Sequence, residues 1–234
     1  MPKFFLSFFF FYTILLNAIY LPDSPVAKAE RLKVWPRISK ERVEKGLQAN
    51  SPIYLRLFKL ENQLEVWVKS GSKFVLFHTY NICFYSGGLG TKTRDGDGKS
   101  PEGFYDIKPT QLNPISTFYL ALNVGYPNKL ETSRGYTGSA IMIHGNCVSI
   151  GCYAMTNEGI AQIYTQVFMA LKNGQQKINL DIFPFRMNEQ NMDAYKDDPN
   201  FEFWKTLKKG YDLFNRKLVP TDADVKDNEY FFKD

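Results

Sequence analysis

The stretch Ser139-Ala-Ile-Met-Ile-His-Gly-Asn-Cys-Val-Ser-Ile-Gly-Cys-Tyr-Ala-Met155 places an imidazole, His144, and a thiol, Cys152, in one short segment. A cysteine acts as a nucleophile in its thiolate form, and a neighbouring imidazole can take its proton. The apolar run Ala140 to Ile143 reads as a buried strand. His144-Gly145-Asn146 breaks it, Ser149-Ile150-Gly151-Cys152 closes the loop, and a helical pattern follows. Reactive groups are commonly presented this way, on a loop gripped by rigid elements. If the resting state is a thiolate–imidazolium pair, the thiol is expected to titrate well below about 8.5, favoured by the imidazole in the same loop and by the positive end of the helix that starts just after Cys152.

Three cysteines, Cys83, Cys147 and Cys152, are an odd number. In an exported chain that points to one free thiol or to an intermolecular bond. If one pair is bridged, Cys83–Cys147 leaves Cys152 free, but the sequence does not fix the pairing. His144, Cys147 and Cys152 also form a conceivable zinc set. Its spacing is irregular, and the other histidine, His78, lies in a Phe-rich strand pattern that suits packing. No metal or cofactor is therefore expected. Gly98-Lys99-Ser100 imitates the end of a phosphate-binding loop, but Thr93 stands where that motif needs glycine. Asp95-Gly-Asp97-Gly imitates a calcium loop, but Lys99, Ser100 and Asp106 occupy the wrong positions.

The positioning elements must be mostly strands. Ile53 to Phe58, Gln63 to Lys69 and Lys73 to Tyr80 read as a β-meander, and Gly103 to Ile107, Thr117 to Val124 and Lys177 to Phe183 as further strands. Thr156 to Leu171 is the clearest helix: Ile160, Ile163, Tyr164, Val167, Phe168 and Leu171 fall at helical spacing, with Thr156 or Asn157 as cap. A short helix is expected over Ile38 to Leu47, capped by Ser39. Residues 188–200 read as a polar linker. Phe201, Trp204, Leu207, Tyr211 and Phe214 mark an amphipathic helix that must pack on something, and the end from Pro220 reads as loosely attached. The fold class expected is mainly β with flanking helices, α+β.

The chain has 234 residues, 44% of them hydrophobic, and a net charge of +5. Such a composition excludes a disordered chain. The charge is too mild and scattered for nucleic acid but suits an anionic surface such as cell wall. Lys3, the apolar run Phe4 to Leu21 and Ala27-Lys28-Ala29 together read as a secretory signal, with cleavage expected after Ala29. An uncleaved anchor is the other reading of the same run, and both put the domain outside the cytoplasm, in the periplasm or cell envelope.

His144-Gly145, Ser149-x-Gly151-Cys152 and Ser100-Pro-Glu-Gly-Phe-Tyr105 together resemble the L,D-transpeptidase catalytic (YkuD) domain, in its YafK-like branch. Ser86-Gly-Gly-Leu-Gly90 and Ile182-Phe-Pro-Phe-Arg-Met187 support the likeness, which runs from about Ser51 to Met187. The implied layout is a signal at 1–29, a lead-in helix at 30–50, a β-sandwich catalytic domain at 51–187 and a helical extension at 188–234.

The resemblance implies Cys152 as nucleophile, His144 as base, the Gly145 carbonyl orienting the imidazole, and amides near Gly151 and Cys152, with Ser149, around an oxyanion. Arg94, Ser100 and Tyr153 are the candidate substrate-binding residues. Ile150 departs from the wider family, which has a second histidine there. The implied chemistry is acyl transfer on diaminopimelate-containing peptidoglycan stem peptides, with a wall-attached lipoprotein as a further candidate partner. Rival readings are a hydrolase that releases a wall-attached protein or peptide, and a non-catalytic wall-binding module in which Cys152 is structural.

Overall fold

The structure, a computed structural model, describes residues 20–233; most of the apolar run of the expected signal, residues 1–19, lies outside them. In chain order the elements are α1 (Pro25–Glu44), β1 (Ile53–Phe58), β2 (Gln63–Ser70), β3 (Lys73–Asn81), β4 (Phe84–Tyr85), β5 (Gly103–Ile107), β6 (Leu112–Asn113), β7 (Ala121–Asn123), α2 (Lys129–Ser133), β8 (Met142–His144), β9 (Tyr153–Ala154), α3 (Asn157–Lys172), β10 (Ile178–Phe183), α4 (Glu189–Ala194), α5 (Phe201–Lys217), β11 (Ala223–Lys226) and β12 (Glu229–Phe232). The α+β class expected from the sequence is the one observed.

Two five-stranded sheets, ordered β3-β2-β1-β10-β5 and β4-β9-β8-β7-β6, form the body, and β11-β12 is a separate hairpin. Each large sheet is antiparallel except for one parallel pair, β1–β10 in the first and β8–β9 in the second. Strand β1 is buried along its whole length because it is covered twice. Ile53, Leu55 and Leu57 join the main core with Ile160, Ile163 and Val167 of α3. On the opposite face Phe58 packs with Trp204 and Leu207 of α5, and Tyr54 with Phe214. A strand buried on both faces reads as a continuous apolar run, and IYLRLF is close to one.

Helix α3 begins where its spacing predicts, with the Thr156 hydroxyl accepting the Gly159 amide at 3.0 Å. Helix α1 departs from expectation. It starts at Pro25 rather than Ile38, capped by Ser24, whose hydroxyl accepts the Ala27 amide at 3.1 Å. Ser39, the expected cap, instead donates its hydroxyl to the Pro36 carbonyl at 3.1 Å. A proline inside a helix costs about 3 kcal/mol. Here burial of Ala27, Val34 and Ile38 outweighs it. Ala29, after which cleavage is expected, therefore sits inside α1, downstream of the fully buried Ala27 and between the two partners of the Asp23–Arg31 ion pair.

Two further stretches are more ordered than their polarity suggests. The polar linker contains α4, capped by Asn188, with Met192 buried. The tail folds as the β11–β12 hairpin across Asp227-Asn228, both at positive φ, the conformation favoured in two-residue hairpin turns. Tyr230 is buried and accepts the Asn128 side-chain amide at 2.7 Å.

Candidate active site

The second sheet aligns the reactive residues through its parallel pair. His144 ends β8, and Cys152 immediately precedes β9; Ile143 lies opposite Tyr153, and His144 opposite Ala154. Side chains alternate along strands, so Cys152 and Ala154 share the face that His144 occupies on the next strand, whereas Tyr153 points the other way. Tyr153 is accordingly fully buried and donates its hydroxyl to the Pro101 carbonyl at 2.5 Å. It belongs to the hydrophobic core and not to the face that carries Cys152.

The His144 imidazole is 3% exposed, and its Nδ1 lies 2.7 Å from the Gly145 carbonyl oxygen. A carbonyl only accepts, so Nδ1 carries the proton and Nε2 keeps its lone pair. The Phe118 ring covers the imidazole at a centroid distance of 4.6 Å. Gly145 is required by close approach: a Cβ there would stand 2.4 Å from Asn157 Oδ1 and 2.9 Å from the Phe118 carbonyl. Asn157 Oδ1 also accepts the Asn146 amide at 2.9 Å, so the first residue of α3 holds the turn after His144.

Cys152 is half-buried and is the free cysteine among the described residues. Its sulfur accepts the Met142 amide at 3.4 Å and lies 3.7 Å from the Ala140 carbonyl. No hydrogen bond joins it to His144 among the described residues. Burial pushes the thiol up, against the weaker opposing effects of the Met142 amide, Ser149 and the Lys92 charge. Burial likewise pushes the imidazole down, although its bond to Gly145 favours the charged form. Both shifts favour the neutral forms of the pair, opposite in direction to the low thiol pKa expected from the sequence. The expected helix contribution fails for a plain reason: Cys152 is four residues before the cap Thr156, with extended β9 between, roughly 13 Å of chain. The α3 start faces Gly145 and Asn146 instead.

Serine hydroxyls hold the loop under the nucleophile. Ser86 Oγ accepts the Gly151 amide at 2.8 Å and donates to the Ser149 carbonyl at 3.3 Å. Ser149 Oγ accepts the Cys152 amide at 2.8 Å. Both amides offered for an oxyanion are therefore engaged by serine oxygens in this state. Ser100 is fully buried and donates its hydroxyl to the Cys152 carbonyl at 3.4 Å, so it supports the loop from behind. Arg94 is exposed, on the turn organised by Asp97, and its guanidinium makes no ion pair among the described residues.

Cys147 is bonded to Cys83 of the segment between β3 and β4, with a Cα–Cα distance of 5.2 Å. That bond removes Cys147 from the conceivable zinc set and staples the loop to the sheet edge. A cavity of about 480 Å³ opens between β5, β10 and the C-terminal hairpin, lined by Asp106, Lys177 and Asp224 among others, and it includes neither Cys152 nor His144. Ser86, Phe118 and Asn157 are the site residues that reading the sequence missed. Only Ser86 carried a signal, as the first residue of the supporting stretch Ser86-Gly-Gly-Leu-Gly90.

The chain is similar to known proteins. The L,D-transpeptidase catalytic domain family (YkuD) matches residues 56–174. YafK of Escherichia coli K12, whose name assigns it provisionally to the L,D-transpeptidases, is 48% identical over 180 residues, 77% of this chain and 73% of its own length; YafK of strain O157:H7 matches equally. Among solved structures, the helical cell shape determining protein Pgp2 of Campylobacter jejuni aligns with a TM-score of 0.44 at 19% identity, covering 84% of this chain and 80% of that one. The chain therefore belongs to the L,D-transpeptidase catalytic domain family, in its YafK-like branch.

Proposed function

We propose that this chain is an exported cysteine acyltransferase acting on peptidoglycan stem peptides through a thioester on Cys152. The observation that carries the reading is the pairing of β8 with β9, which sets a half-buried thiol and an imidazole with a free Nε2 on one face of the same sheet.

Because the resting pair is neutral, His144 works as a general base during attack. Nε2 takes the Sγ proton while sulfur bonds to the amide carbonyl carbon on the acyl side of diaminopimelate. The tetrahedral oxyanion accepts the N–H of Cys152 as the Ser149 oxygen gives way, while Ser86 keeps its hold on the Gly151 amide. The C–N bond then breaks, and His144 returns its proton to the leaving amine. A second amine attacks the thioester to give a new amide and the free thiol; water in its place gives a carboxylic acid. The sulfur rests near the Ala140 carbonyl rather than on Nε2, in keeping with catalytic contacts that tighten only when substrate binds.

The test is incubation with defined diaminopimelate-containing muropeptides, read by mass spectrometry, for wild type and Cys152→Ala. A trapped mass of enzyme plus acyl group in wild type, absent in the variant, is expected. Product formation by Cys152→Ala would reject the thioester. A new cross-link identifies transfer, and a shortened stem identifies hydrolysis.

Export is the second part of the proposal, motivated by the apolar run Phe4 to Leu21. Since Ser24 and Ala27 belong to the folded domain, processing upstream of Asp23, or retention of the run as an anchor, fits α1 better than a cut after Ala29. N-terminal sequencing of envelope-recovered protein decides this; a start at Glu30 would restore the cut within α1.

A further inference from the structure

The C-terminal extension reaches the catalytic loop through a buried carboxylate. Glu102, fully buried, accepts three N–H groups: Lys59 Nζ at 2.9 Å and the Gly90 amide at 2.8 Å on Oε1, and the Trp204 indole at 2.8 Å on Oε2. Lys59, also fully buried, uses its other protons on the Gly90 and Ser100 carbonyls, each at 3.0 Å. A buried carboxylate and ammonium are tolerable only with their bonding capacity filled, and here every contact is charge-assisted. The network clamps both ends of the glycine-rich loop between β4 and β5, at Gly90 and at Ser100. A second contact from the extension reinforces the first end: Asn200, just before α5, sits against Gly90, where a Cβ would lie 2.8 Å from its side chain.

The same loop carries the two hydroxyls under the nucleophile. Ser86 and Ser100 bond to each other's backbone: the Ser86 amide donates to Ser100 Oγ and the Ser100 amide to the Ser86 carbonyl, both at 3.2 Å. Their hydroxyls then reach Gly151, Ser149 and the Cys152 carbonyl. A continuous path of hydrogen bonds thus runs from α5 through Trp204, Glu102, Lys59 and Ser100 to Ser86 and the Gly151 amide.

We propose that Trp204, Glu102 and Ser86 are positioning residues for the acyl transfer proposed above, so that the C-terminal extension belongs to the catalytic apparatus and is not an appendage of it. The extension sets the loop, and the loop sets the angle of the two amides beside Cys152. The inference rests on the functional reading for its consequence in turnover, but its geometric part can be measured without a substrate.

The experiment compares Trp204→Phe, Ser86→Ala, Ser86→Thr and the double variant Trp204→Phe/Ser86→Ala in the full chain. Trp204→Phe removes the N–H while keeping an aromatic ring against Phe185 and Tyr195. It avoids leaving Lys59 or Glu102 buried alone. The readouts are thermal midpoint, alkylation rate of Cys152 by iodoacetamide, and kcat and KM on muropeptides. Loss of one hydrogen bond to a charged group predicts about a tenfold fall in kcat for Trp204→Phe, with KM little changed. Ser86→Ala is expected to fall comparably, with Ser86→Thr restoring most of the rate. Because both act on one path, the double variant should lose little more than the worse single one.

A lower midpoint in Trp204→Phe with wild-type alkylation and kcat would show a merely structural contact and overturn the proposal. So would multiplicative losses in the double variant. If wild type turns over no muropeptide while Trp204→Phe still alters Cys152 alkylation, the functional reading fails and the positioning path stands.

Discussion

The two large sheets share a plan, five strands with one parallel pair, yet they are held together by different means. In β3-β2-β1-β10-β5 every strand runs from 5 to 9 residues, and backbone ladders carry the register. In β4-β9-β8-β7-β6 every strand is 2 or 3 residues long. Ladders that short cannot fix a loop by themselves. The second sheet is instead cross-braced by side chains and one covalent bond: Ser86 and Ser100 under Gly151 and Cys152, Asn157 on Asn146, and Cys83–Cys147. The regular sheet is a scaffold whose strength is distributed. The irregular one is a site whose geometry depends on a few named groups. Substitutions in the first sheet should therefore act through stability, whereas those in the second should also change the geometry and chemistry of the site.

The sharpest division is expected at His144. His144→Ala should lower kcat for acyl transfer by about 10²–10⁴, the usual worth of a general base, while melting near wild type. Alkylation of Cys152 against pH, run alongside, tests the neutral pair. Burial raises the thiol, so reactivity should climb only above about 8.5 in both proteins. A wild-type midpoint well below that would establish a resting thiolate and remove the neutral pair from the mechanism.

Next in size is a matched pair of lesions. The Cys83–Cys147 bond spans 64 residues, and the double variant Cys83→Ala/Cys147→Ala should lose roughly 4 kcal/mol by loop entropy. Leu57→Ala, in fully buried β1, should lose about 3 kcal/mol through its cavity. Hydrogen exchange should set them apart, with faster exchange at residues 145–151 only in the cysteine variant. Equal exchange there in both would mean the bond braces the whole fold rather than the site.

Smaller again is a pH effect belonging to the scaffold. Burial raises the Asp181 carboxyl on β10 to about 7, despite its bond from the Tyr54 hydroxyl and the Arg56 charge. Its folded pKa is above the unfolded one, so the stability it contributes is complete near pH 4 and is lost as pH rises through about 7. Glu131, raised by burial to about 7 beside Tyr105, adds a slope of the same sign. Asp181→Asn should flatten chemical-denaturation stability across pH 4–7, by at most about 1.4 kcal/mol per pH unit. An unchanged slope would assign the titration elsewhere.

The smallest effect is expected at Ile150, beside the nucleophile but 92% exposed. Ile150→His should leave stability within about 0.5 kcal/mol of wild type, as exposed substitutions usually do, and turnover near wild type. A marked change in kcat/KM would bring this side chain into the substrate site.

Much was legible in the sequence because it depends on local spacing. Helical periodicity gave α3 nearly to the residue, alternating and apolar runs gave β1, β2 and β3, and the chemistry-bearing residues of 144–152 announced themselves by type. The amphipathic stripe of α5 said that it must pack, without saying where. Misreadings arose where a distant partner overrides a local signal. Ser39 looked like a cap until α1 was seen to begin at Pro25, with Ala27, Val34 and Ile38 buried. The polar segment from Pro220 looked loose until Tyr230 found Asn128. Tyr153 looked available beside Cys152 until strand alternation turned it inward. Which oxygen faces the Gly151 amide, which hydroxyl holds the Cys152 carbonyl, and that the thiol is pushed up rather than down, depend on burial and on residues 50 and more positions away, such as Ser86 and Ser100. One sequence carries the identities of those groups, but only the folded chain brings them within hydrogen-bonding distance, where their electrostatic effects are felt.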